Sequence, residues 1–353
     1  MKDSRRRTVS MRDIAERAGV SVATVSHVLR KTRKVNQETR QRVLGVSREL
    51  GYEASDADRE GVGFRPTHVL GLVVSDIQDP FFTESVKGFE DQAWLHHMEP
   101  VIMNTNYDPL RAVSSIRRLI RIGVSGVAVL ATEPHGAIID HLTANDICAV
   151  YIDAGRVGPY VASLNLDYAH GIRQAVRHLR ELGHRRLGYI GSLLDQEAIR
   201  VRRQAFLEEL GDAEGEVVEA AGTVEGGYYI AGKLFSRSSP TAIVCSSDLL
   251  AIGALHYAAD QGIQVPDQLS IVGFDNIDFA RFTMPELTTV GIPKYECGRL
   301  AFQVLNEMIQ DPAHIGREVT VQPQLVLRQS TAPCPEDPLA QPAGTGAETD
   351  PMI

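Results

Sequence analysis

From Val69 to Phe274 the chain repeats one pattern, a short run of β-branched and aliphatic residues followed by a longer amphipathic stretch. The runs "VLGLVV", "PVIMNT", "GVAVLA", "AVYID", "RLGYIG", "TAIVCSS" and "LSIVGF" have the length and residue types of strands. The stretches between them, such as "PFFTESVKGFEDQAWLHH" and "LLAIGALHYAADQG", carry apolar residues at helical spacing. Near-continuous apolar runs suit strands buried on both faces, so the alternation predicts parallel sheets covered by helices. The pattern falls into two series, about Val69–Asp153 and Leu187–Phe274, with joints near Leu164–Asp167 and through Thr288–Arg328. Two doubly wound halves flanking a cleft form a small-molecule binding architecture, in which ligands lie beyond the carboxyl ends of the strands.

That rule nominates residues. Asp76, Phe81 and Phe82 follow a strand in "SDIQDPFF", Asp153 in "YIDAG", Ser247 and Asp248 in "CSSD", and Asp275 and Asn276 in "GFDN". Arg200 and Arg202 lie early in the helix after "YIGS". Carboxylates accept hydrogen bonds from hydroxyls and aromatic faces cover apolar ring surface, so the set fits a polyhydroxylated ligand. Each has a plainer alternative. An Asp after a strand equally suits a helix N-cap, Arg202 could pair with Glu208 or Glu209, and one of the two phenylalanines belongs to the core.

Ahead of this body stands a small segment of opposite charge. Residues 1–52 hold thirteen basic and five acidic side chains, net +8, in a chain of net −9, which leaves −17 for the remainder. A basic head on an acidic body predicts a polyanionic partner for the head. In "MRDIAERAGVSVATVSHVLRKT", Ile14, Ala15 and Ala18 share one helical face and Gly19 stops the helix. Ser21 is a good N-cap for a second helix with Val25, Val28 and Leu29 inward. A third helix, capped by Asn36, turns Val43, Val46 and Leu50 inward. Two short helices joined by "AGVS" form a helix-turn-helix, a motif that sets its second helix in the major groove of DNA. The candidate contacts are Ser21 and the outward residues Val22, Ala23, Thr24, Ser26 and His27, which can hydrogen-bond or touch a thymine methyl. Arg12, Lys31, Arg33 and Asn36 flank them as candidate phosphate contacts.

The segment "MRDIAERAGVSVATVSHVLRKTRKVNQETRQRVLGVSRELGY" strongly resembles the headpiece of the LacI/GalR (lactose/galactose repressor) family of bacterial transcription regulators. "IQDPFF", "LGHRRLGYIG", "VPDQLSIVGFDN", "PELTTV" and "QPQLVLRQST" resemble that family's landmarks in their usual order, over about Thr8 to Thr331. The resemblance implies α + α/β architecture: a helix-turn-helix headpiece (8–53), a hinge (54–67) and a periplasmic-binding-protein-like core (68–331) of two doubly wound α/β subdomains. Their expected spans are about 68–164 with 291–323, and 165–290 with 324–331. It further implies a repressor of palindromic operator DNA, controlled by a small-molecule effector and acting as a homodimer. Asp153, Arg202, Asp248 and Asp275 match positions where the family often holds its effector.

The linker departs from the family. Where relatives carry Pro-Asn and a helix ending in a leucine that wedges the minor groove, this chain has "YEASDADREGVGFRP". Ala54 and Ser55 replace Pro-Asn, Gly61 takes the place of the leucine, and Asp56, Asp58 and Glu60 would face phosphates. The segment "AAGTVEGGYY" lacks the aromatic that often caps the family's pocket. Residues 332–353, rich in Pro, Gly and Ala, are expected to be disordered.

Other classes find no support in the sequence. No G-x-G-x-x-G follows a strand and no G-x-S-x-G elbow occurs. "GYYIAGKL" has Leu234 where a phosphate loop needs Ser or Thr, and reads as helix. No spacing of His or Cys predicts a metal site, so neither an enzyme nor a bound cofactor is expected. A transport solute-binding protein would share the body but not the basic head. No run approaches a membrane span, the N-terminus lacks the apolar core of a signal peptide, and four scattered cysteines fit a reducing cytoplasm.

Overall fold

A computed structural model describes residues 11–21, 24–25, 28, 36–50, 68–131, 136–310 and 315–335. The chain divides into two compact units, up to residue 67 and from residue 68 onward.

In the first unit, helix α1 (Met11–Ala18) ends at Gly19, whose φ of +64° reverses the chain as only glycine does without strain. Ser21 Oγ then accepts from the Thr24 N–H at 3.1 Å and starts the next helical segment. Asn36 Oδ1 accepts from the Thr39 N–H at 2.9 Å and caps α2 (Gln37–Glu49). Ile14, Ala15, Ala18, Val25, Val28 and Val43 form the core that these caps orient. Val46 and Leu50, expected inward, are partly buried at its margin.

The second unit holds two six-stranded sheets. The first is ordered β11(Glu318–Val321), β5(Val161–Leu166), β4(Cys148–Ile152), β3(Gly126–Leu130), β1(Val69–Val74), β2(Glu99–Asn104). All its pairings are parallel. The second is ordered β12(Gln324–Val326), β10(Thr288–Gly291), β9(Ser270–Asp275), β8(Ala242–Cys245), β6(Arg186–Ser192), β7(Glu214–Ala220). It is parallel except where β12 runs against β10. The central strands β3, β4, β8 and β9 are buried along their whole length, as strands covered on both faces must be. The chain passes between the sheets after β5, after β10 and between β11 and β12.

The seven apolar runs all form strands, although Ser246 and Ser247 lie past the end of β8. The strands that the apolar pattern misses are β5, β7, β10, β11 and β12; of these β7 is an edge bearing three glutamates, β11 is a four-residue edge beginning with one, and β12 is three residues long. Helix α3 (Pro80–Leu95) packs closely on α10 (Lys294–Gln310). A Cβ on Gly298 would lie 1.9 Å from the Ser85 carbonyl oxygen, and one on Gly88 would lie 2.0 Å from that of Tyr295. The stretch after 331 is ordered further than its composition predicts. Ala332 N–H donates to Ser270 Oγ and Cys334 N–H to the Leu182 carbonyl, so 332–335 belong to the second half; 336–353 lie outside the described residues.

Candidate functional site

The carboxyl ends of β1, β2, β6, β7, β8 and β9 open onto a cleft of about 620 Å³ in the second unit. The first half contributes Asp76, Asp79, Phe81, Phe82 and Tyr107, and the second contributes Ser192, Gln196, Arg202, Ser246 and Asp275. Leu193, Leu194, Ile199, Val224 and Leu249 supply apolar wall.

Local sequence explains how these groups are held. Asp79 Oδ1 accepts from the Phe81 N–H at 2.8 Å, capping α3, with Pro80 beginning the helix. This cap turns both phenylalanines inward, their rings edge to face at 5.1 Å, and both line the cleft. Arg202 projects from α7 (Glu197–Glu209) and is nearly buried. Its guanidinium lies between the rings of Tyr168 and Phe274, 4.5 and 4.3 Å from their centroids. It donates to the Ser246 carbonyl at 2.7 Å and stands 4.0 Å from the Asp275 carboxylate. Aromatic faces favour a desolvated cation by roughly 0.5–2 kcal/mol, and here they fix the plane of the guanidinium.

Asp275 ends β9 with φ +104° and Asn276 follows at +53°, two successive non-glycine residues in left-handed backbone. Such conformations cost of order 1–3 kcal/mol each and concentrate at functional sites. The turn is pinned from several sides. Asn276 N–H donates to Thr289 Oγ1, Ile277 N–H donates to Asp248 Oδ2 at 2.7 Å, and Arg328 donates to Asn276 Oδ1. Burial pushes the Asp275 carboxyl well above the usual carboxylate range; the Arg202 charge opposes this, and Asp248 and Asp79 add to it. Burial likewise raises Asp79, against its bond from Phe81. A carboxyl poised in this way can donate as an acid or accept as a carboxylate, according to what a ligand offers.

Asp76, Phe81, Phe82, Arg202 and Asp275 thus converge as their positions after strands imply. Ser247 lines the cleft as well, and four other candidates stand outside its lining, among them Asn276 in the turn just described. Arg200 is half exposed and engaged with Asp195 and Glu197. Asp153 Oδ1 accepts from the Leu166 N–H at 3.0 Å, tying β4 to β5 behind Tyr168; burial raises its pKa, and the Tyr168 hydroxyl and Arg202 oppose the rise. Asp248 is fully buried, bonded to Thr289 Oγ1 and the Ile277 N–H. It is not the N-cap of α9 (Asp248–Asp260), since Ser247 Oγ accepts from Leu250. Asp248 instead supports the Asp275 turn, and it fits there because Gly273 lacks a Cβ that would lie 2.2 Å from its Oδ1. Arg202 pairs with neither Glu208 nor Glu209, because its side chain points into the cleft. Asp79, Tyr107, Ser192, Gln196 and Ser246 were not nominated. Asp79 was legible in "SDIQDPFF", whereas the others follow strands without a distinctive residue type.

In the head, Ser21 and Thr24 share a hydroxyl–hydroxyl bond of 2.8 Å, and Ser21 and Asn36 serve as caps. Val22, Ala23, Ser26, His27, Lys31, Arg33, the side chain of Arg12 and the linker from 54 to 67 lie outside the described residues. Among the described residues no group of His, Cys, Asp and Glu is arranged to hold a metal ion, and no helix is long and apolar enough to cross a membrane.

A helix-turn-helix head and a two-lobed core whose apolar-walled cleft carries a few convergent polar groups define a DNA-binding regulator under small-molecule control. Comparison with known proteins agrees. Residues 10–55 match the model of bacterial regulatory proteins of the lacI family, and residues 176–331 match a periplasmic binding protein-like domain. The HTH-type transcriptional repressor PurR of Mannheimia succiniciproducens is 31% identical over 328 residues, covering 91% of this chain and 98% of that one. The ribose operon repressor of Haemophilus influenzae is 32% identical over 332 residues, 91% of this chain and 98% of its own. The crystal structure of a LacI family transcriptional regulator from Enterococcus faecium with bound ribose superposes with a TM-score of 0.69 at 25% identity, covering 75% of this chain and 99% of that one. The chain belongs to the LacI family: it is an effector-controlled, DNA-binding transcriptional repressor and not an enzyme.

Proposed function

We propose that the cleft binds a polyhydroxylated ring, sugar-like or nucleoside-like, and that its occupancy sets the affinity of the head for a palindromic operator. The convergence of Asp76, Asp275 and Arg202 with the rings of Phe81 and Phe82 on one cleft carries this reading. Carboxyl groups and a guanidinium satisfy hydroxyls, and the aromatic and aliphatic wall takes the apolar face of a ring. Ligand that bridges the halves favours their closed arrangement, and only this differential affinity can change operator binding. The relatives named for ribose make pentoses the first compounds to try.

The same reading places the protein in the cytoplasm as a homodimer, with a head over 8–53, a hinge over 54–67 and a core from 68 to 331. Exposed apolar side chains support the dimer: Leu110 and Ile102 near the β2 edge, and Tyr229, Phe282 and Met284 in the second half.

Calorimetry of the full chain against D-ribose, cellobiose, adenosine, guanosine and ribitol tests the cleft. Asp275→Ala and Arg202→Ala should each weaken the binding compound at least tenfold, since each removes charge-assisted hydrogen bonds worth about 1.5–3 kcal/mol. Binding to operator DNA should stay near normal. Unchanged ligand affinity in both variants would move the site elsewhere.

A further inference from the structure

Lys294 is a buried cation outside the cleft lining. It heads α10, the helix packed against α3 of the first half, yet it reaches the second half. Its side chain is 2% exposed. An ammonium has three N–H donors, and here it meets three acceptors: the Asp275 carbonyl at 2.7 Å, the Asn276 carbonyl at 2.8 Å and Glu84 Oε1 at 3.3 Å. The two carbonyls belong to the left-handed turn that aims the Asp275 side chain at the cleft. Glu84 lies on α3, one turn beyond the cleft phenylalanines Phe81 and Phe82. One ammonium therefore ties the ligand-facing turn of one half to the ligand-facing helix of the other.

We propose that Lys294 is the positioning residue for Asp275 and the polar latch between the halves of the core. The proposal rests on the reading that the cleft holds the effector. The lysine stabilises the turn by satisfying two carbonyls that face the same way because of their left-handed backbone. It senses closure because Glu84 and the turn can share its ammonium only while α3 and β9 hold this separation. A ligand that pulls on Asp275 or moves α3 changes the same two hydrogen bonds and ion pair, so cleft occupancy and the relation of the halves are coupled through them.

The test needs no effector. Spin labels on Arg118→Cys and Glu208→Cys, both at exposed positions, in a Cys334→Ser background report the distance between the halves of the full-length protein. The labelled protein is diluted with unlabelled chain so that only distances within one chain are read. The unmodified core should give one narrow distance, and Lys294→Met and Glu84→Ala should each add a second population. Amide exchange at Asn276 and Ile277 should quicken about tenfold in Lys294→Met and stay unchanged in Glu84→Ala, which keeps the carbonyl bonds. Distances unchanged in both variants would overturn the latch, and unchanged exchange in Lys294→Met would overturn the positioning role. If Lys294→Met fails to fold, Glu84→Ala alone decides the latch. Because no ligand is present, these failures stand apart from a failure of the cleft reading, which shows as intact ligand binding in Asp275→Ala.

Discussion

Asp248 has no contact with solvent, and burial pushes its carboxyl up to about 7 from an ordinary 3.8, against the bonds from Thr289 and the Ile277 N–H and the nearby charges of Lys294 and Arg328. The folded protein therefore holds this proton to higher pH than the unfolded chain does. The stability this gives is fully present below about pH 4 and is lost as pH rises to about 7, beyond which it changes no further. Asp248→Asn keeps the shape and still accepts from Ile277, so its stability should lack this loss. The difference in urea-unfolding free energy between variant and parent should grow by a few kcal/mol between pH 4 and 7. Parallel pH profiles would mean that the folded carboxylate is already ionised at pH 4. The difference isolates Asp248 from His178 and His184, whose pKa values burial lowers and whose contribution runs the opposite way.

Two elements depend on single small residues. The helix after Ser21 starts on one side-chain bond, and Ser21→Ala should cost the head about 0.5–2 kcal/mol, seen as a lower melting temperature of its thermal transition. Operator binding should weaken with it, while ligand binding to the core is unaffected. The α3–α10 contact has no room for a methyl group at Gly298, where a Cβ would stand 1.9 Å from a carbonyl oxygen. Gly298→Ala should force these helices apart and destabilise the core by about 1–3 kcal/mol or more in urea unfolding. Gly45→Ala, with nothing within 4 Å of the new Cβ, is the control and should be neutral or stabilising.

At the scale of the whole molecule, the head and core must communicate through a linker whose sequence breaks the family's pattern. A wedge residue unstacks a base step, and the bend that results lets the protein contact more DNA. Gly61 would offer nothing to insert, and Asp56, Asp58 and Glu60 would repel phosphates set against them. The unmodified protein should bend operator DNA little and discriminate weakly at the central base pairs. Gly61→Leu combined with Asp58→Ala should tighten operator binding and increase the bend in a circular-permutation gel. A strong bend in the unmodified protein, abolished by Val62→Ala, would restore the ordinary wedge. The proposed dimer is checked by sedimentation: Met284→Asp with Phe282→Asp should shift the full chain toward monomer.

Periodicity and turn chemistry determined the class of this protein. Apolar runs gave seven strands, six of them interior and largely buried and the seventh, β2, a half-buried edge, and caps and Gly19 gave the head because their interactions reach only three or four residues along the chain. The rule that ligands lie beyond strand ends was enough to bring Asp76, Phe81, Phe82, Arg202 and Asp275 together. It was blind to where each side chain points after its strand. Asp153 and Asp248 follow strands as Asp275 does, but their backbone and hydroxyl partners come from residues 13 and 41 positions away, Leu166 and Thr289. Lys294 carries no local signature at all, because its three acceptors lie on two other elements, one of them 210 residues earlier at Glu84. Whether a buried charge serves a ligand or the fold is decided by which distant backbone atoms reach it first, and only the tertiary structure brings those atoms together.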